Sequence, residues 1–83
     1  MKQAELALLI KTGAVERIVM FRDRSKAEGW QIFAYGIDGS VPGVFADWIE
    51  PARERKPRLW ASLDTAHAWI QTMGWTKNVT VDG

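Results

Sequence analysis

The apolar positions of this chain group at helical spacing near its two ends, with strand-like runs between them. Leu6, Leu9 and Ile10 share one face within a stretch of strong helix formers from Ala4 to Lys11. Glu5 near the start and Lys11 near the end suit the helix dipole, and Gly13 follows as a cap. A first helix is expected over residues 2–12. Residues 15–22, Val-Glu-Arg-Ile-Val-Met-Phe-Arg, hold the β-branched side chains of a strand. Residues 30–37, Trp-Gln-Ile-Phe-Ala-Tyr-Gly-Ile, make a second such run. The polar segment 23–29 between them predicts an antiparallel hairpin with a long tip.

Both runs are apolar on two sides. Strict alternation sorts Val15, Val19 and Phe21 from Ile18 and Met20. In the second run it sorts Trp30, Ile32 and Ala34 from Phe33, Tyr35 and Ile37. A sheet with one wet face would alternate apolar with polar residues. The pattern therefore predicts at least partial cover on both faces, from a helix, a folded loop or a partner.

Residues 38–44, Asp-Gly-Ser-Val-Pro-Gly-Val, are turn material. A third strand is expected over 46–53, at an edge or a bulge because Pro51 has no N–H for the ladder. Glu54-Arg55-Lys56-Pro57 reads as a turn and Arg58 to Ala61 as a short fourth strand. Ser62 then suits an N-cap, with Asp64 in the first turn. Leu63, Ala66, Ile70 and Met73 make one helical stripe, which Gly74 ends. Alternation from Lys77 to Asp82 predicts a last strand with Val79 and Val81 toward the core. The expected class is α+β: a small, mostly antiparallel sheet of three to five strands with two helices, in the order α-β-β-β(β)-α-β. One domain is expected over residues 1–83.

Composition narrows the function more than the fold. Apolar residues are 47% and charged residues 25% of 83, as in ordinary globular chains. With no cysteine, disulfides and thiolate metal sites are excluded. No apolar run reaches the roughly 18–20 residues that cross a bilayer. Glu5 and Lys11 bracket the first apolar run, which is not the ordering of a secretory signal. The expectation is a cytoplasmic protein with no membrane contact. A net charge of +1 is too small to predict a polyanionic partner from the overall field, so local clustering must carry that case. Five tryptophans, Trp30, Trp48, Trp60, Trp69 and Trp75, are more than so small a body can hide completely. Some serve the core, and the remainder offers contact surface.

Catalytic chemistry finds little to stand on. His67 is the single histidine, and a metal site would need further ligands at suitable spacing. Asp38, Asp47, Asp64 and Asp82 show no calcium-loop pattern. As a general base His67 would need a nucleophile and an orienting partner, while Ser62 and Thr65 nearby read as helix-cap residues. The glycines around Gly36, Gly39 and Gly43 lack the Lys-Ser/Thr ending of a phosphate loop. No enzymatic activity, no cofactor and no metal are expected.

Two basic clusters remain. Arg22, Arg24 and Lys26 lie at the first hairpin tip. Arg53, Arg55, Lys56 and Arg58 lie around the second turn, with Trp60 beside them. Basic hairpins on a small sheet can follow phosphates or lie in a groove. Interleaved Glu28, Glu50 and Glu54 fit solvated turns equally well. The partner left open is DNA or an acidic protein.

The run Arg58-Leu59-Trp60-Ala61-Ser62-Leu63-Asp64-Thr65-Ala66, with Trp69-Ile70 and Met73-Gly74-Trp75 after it, resembles the C-terminal half of small plasmid-encoded partition-associated proteins of the ParC type. The opening helix with Gly13 and Ala14-Val15-Glu16-Arg17 is similar more loosely. The resemblance implies a non-enzymatic accessory protein of a plasmid or other mobile element, acting beside a partition ATPase and a DNA-binding protein. It transfers no site residue. The two-sided strands also leave open a homodimer joined through its second sheet face, and the small size leaves open a protein inhibitor of a host system.

Overall fold

The computed structural model describes residues 1–23, 25, 29–37, 44–51, 53 and 55–82, with Ile37 and Val44 described by backbone alone. Its elements are α1 (Gln3–Lys11), β1 (Val15–Phe21), β2 (Gln31–Ile37), β3 (Val44–Trp48), α2 (Leu63–Thr72) and β4 (Thr80–Asp82). They form an α+β fold with a four-stranded sheet in the order β3-β2-β1-β4. The turn expected at 38–44 lies outside the described residues except for Val44.

Each helix forms for local reasons that the sequence states. Leu6 of α1 is fully buried, and Leu9 and Ile10 pack beside it. The α2 helix starts at a capping box. The Ser62 hydroxyl accepts from the Thr65 N–H at 3.2 Å, and the Thr65 hydroxyl accepts from the Ser62 N–H at 3.2 Å. Gly13 and Gly74, at φ +79° and +97°, follow the two helices in the left-handed region that a side chain disfavours.

The sheet is mixed. β1 pairs antiparallel with β2, and β2 with β3, while β4 lies parallel to β1. β3 and β4 therefore run the same way on opposite edges, and the chain must cross back over the sheet. α2 makes that crossover, as parallel strands require. Two of the three pairings are antiparallel, in line with the mostly antiparallel expectation, and β4 adds one parallel edge.

Three strand expectations change as well. β3 ends at Trp48, so Pro51 lies beyond it and costs no ladder bond. The fourth strand at Arg58–Ala61 reduces to a single bridge, Trp60 with Trp30. The register of β1 and β2 shifts between Val15 and Arg17, leaving Glu16 unmatched. That bulge turns Val15 to the side of Ile18 and Met20, away from Val19 and Phe21.

Both helices cover one face of the sheet. Leu6, Ala66 and Ile70 meet Val15, Ile18, Met20, Ile32 and Ala34 in one core cluster, joined by Ile49, Trp30, Trp60 and Trp75. Val79 packs against this cluster, but Val81, although its register partner is Met20, stays 50% exposed at the rim. No described helix is long and apolar enough to cross a membrane.

Candidate functional site

The strand directions decide where the two basic clusters go. β1, β3 and β4 finish at one end of the sheet, and β2 begins there. Arg22 follows β1 and donates its backbone N–H to the Asp82 carbonyl at the end of β4. The segment after β3 leaves the same end. It returns where the Arg58 N–H reaches the Ile49 carbonyl at 2.7 Å. Segments some thirty residues apart in the chain thus meet at one rim.

A tryptophan pair joins them. Trp30 and Trp60 exchange backbone hydrogen bonds of 2.8 and 2.9 Å. The Arg22 guanidinium stands 4.8 Å from the Trp30 ring centre. The Arg58 guanidinium stands 4.8 Å from Trp60 and 5.3 Å from Trp69, whose own ring lies 5.0 Å from that of Trp60. Cations over indole faces are stabilised by about 0.5–2 kcal/mol according to exposure. The indoles thereby hold two guanidinium groups at the rim.

Of the residues named from sequence, Arg22 is exposed at this end, Arg53, Arg55 and Lys56 are exposed on the segment between Ile49 and Arg58, and Arg58 is half-buried. Arg24 and Lys26 lie outside the described residues. Trp60 does not present itself to a partner, because it is buried with its ring under Arg58. Its place is that of a support. Among the interleaved acids, Glu50 is already engaged by the N-terminal ammonium at 3.2 Å and by Lys2 Nζ at 3.6 Å. Glu28 and Glu54 lie outside the described residues.

The second feature is the face turned away from the helices. Register pairs Arg17 with Tyr35, Val19 with Phe33, Phe33 with Trp48 and Tyr35 with Ala46, so these side chains share that face. Phe33 sits at the centre of an aromatic patch. Its ring centre is 6.3 Å from Phe21, 6.1 Å from Tyr35 and 5.1 Å from Trp48. The Arg17 guanidinium lies 5.7 Å over the Tyr35 ring. Val19, beneath these rings, is only 6% exposed yet belongs to no part of the helix-side core. Trp48 is 42% exposed. No described helix or strand packs on this face, so among the described elements the cover predicted for both sides is seen on one.

Sequence reasoning missed this patch as a unit. Phe33 and Tyr35 are legible as one side of a strand, but Trp48 joins them only through the β2–β3 register. His67 is exposed on α2, and among the described residues no three His, Asp or Glu side chains converge to hold a metal ion. No family model, no curated protein and no solved structure matches this chain.

Proposed function

We propose that this chain is a non-enzymatic binding module that holds nucleic acid at the basic end of its sheet. The observation that carries the reading is the bracing of Arg22 and Arg58 on Trp30 and Trp60, two residues that the backbone bridges, with Arg53, Arg55 and Lys56 exposed on the segment leading into Arg58. Cations clustered in this way follow a phosphate backbone and release its counterions. The resemblance to partition-associated proteins supports an accessory role in a plasmid or other mobile element, beside DNA-handling partners.

The test is a salt-titrated affinity measurement with fluorescently labelled DNA, single-stranded and duplex. Binding should weaken steeply with salt. Arg53→Glu together with Arg55→Glu, both exposed, should lower the affinity and reduce the salt slope by about 1 for each phosphate no longer neutralised. Affinity unchanged by these reversals in a folded protein would refute the reading.

A further inference from the structure

We infer that the nucleic acid held by this protein is single-stranded, with two or three unpaired bases stacked on the aromatic face that runs up to the basic rim. This rests on the proposed function and names its substrate class.

A solvated face is dressed with polar side chains, yet this one presents Phe21, Phe33, Tyr35 and Trp48 across three adjacent strands. The other three ring centres lie 5.1–6.3 Å from that of Phe33, at 90° for Phe21, 61° for Trp48 and 21° for Tyr35, so the cluster presents both ring faces and ring edges to a base. Every base has such a surface, so aromatic platforms bind single strands with little regard to sequence. A duplex hides its base faces in its own stack and has nothing to offer these rings.

Charge selects nucleic acid over an apolar protein surface as the occupant. Arg17 lies over Tyr35 at one end of the patch. Phe21 at the other end is followed directly by Arg22, whose guanidinium turns over Trp30 toward the helix side of the rim. From Tyr35 to Gln31 the strand spans about 13 Å, room for two or three extended nucleotides running from Arg17 toward the basic rim. Asp82, which shares this face as the register partner of Phe21, stands to one side on the β4 edge.

Fluorescence anisotropy on the full chain, with labelled oligo-dT and a duplex of equal length, tests the inference. Oligo-dT should bind more tightly than the duplex. Trp48→Ala and Tyr35→Ala should each weaken oligo-dT binding about tenfold and leave the salt slope unchanged. Trp48→Phe, which keeps a stacking ring, should retain the affinity to within about twofold. Circular dichroism melts verify that each variant folds. If folded Trp48→Ala and Tyr35→Ala bind oligo-dT as the parent does, or if the duplex binds more tightly, stacking is overturned. Arg53→Glu with Arg55→Glu would still weaken binding in that case, and the basic-rim reading would survive. A dimer in sedimentation that Trp48→Ala dissociates, with oligo-dT affinity unmoved, would give the face to a second copy and overturn the inference. Failure of both nucleic acids to bind would remove both readings.

Discussion

Ile32 and Phe33 are neighbours in β2 and live in different surroundings. Ile32 is wholly enclosed between the helices and the sheet, whereas Phe33 is half-buried among the rings of the other face. The same strands thus carry a face made for stability and a face left for contact. Apolar area is abundant on both, so hydrophobicity alone does not distinguish them. The difference lies in the crossover: α2 must return over one side of the sheet to set β4 beside β1, and α1 packs on that same side.

The largest effect should come from the covered face. Ile32→Ala removes a side chain with no exposure and should cost about 2–5 kcal/mol in urea denaturation. Phe33→Ala deletes a larger side chain, yet should cost only about 1–2 kcal/mol, mainly from its ring pairs and partial burial. If the larger truncation proves the more damaging, the division between the faces is wrong. Ser62→Ala sharpens the same point from above the sheet. It removes the α2 cap and should cost about 1 kcal/mol in thermal unfolding. Oligo-dT affinity should stay as it was, since the cap touches only the cover. Leu8 sits on the outer side of α1, 60% exposed and outside both clusters. Leu8→Ala should change stability by less than about 0.5 kcal/mol and leave binding alone.

Much of this contrast is legible in the order of the residues, and the reasons are local. The stripes Leu6-Leu9-Ile10 and Leu63-Ala66-Ile70-Met73 name both helices, and Ser62 and Gly74 bracket the second. The split of Ile32 and Ala34 from Phe33 and Tyr35 follows from the two-residue period of a strand. What local pattern could not supply is tertiary. Val15 lands on the core side through the Glu16 bulge, against the alternation that groups it with Val19 and Phe21. Strand β3 stops before Pro51: the Ile49 N–H still reaches the Ile32 carbonyl, but the Glu50 N–H goes to the Met1 carbonyl instead, a distant partner that no local propensity announces. The two basic clusters are visible as clusters. Their meeting depends on strand direction and on the Trp30–Trp60 bridge, and neither is written in any short window.

Gly36 has no side chain for a reason that reaches beyond stability. A Cβ there would run into the carbonyl oxygen of Ala14, where the link between α1 and β1 passes over β2. Core positions can trade leucine for isoleucine or methionine and keep the architecture, but this crossing tolerates no such exchange. A chain that had drifted beyond recognisable similarity, with every ring and arginine replaced, would still need a bare backbone at that point. Kinship at long evolutionary range is best sought in that obligatory gap and in its counterpart at Gly29, where a Cβ would meet the Trp60 carbonyl oxygen.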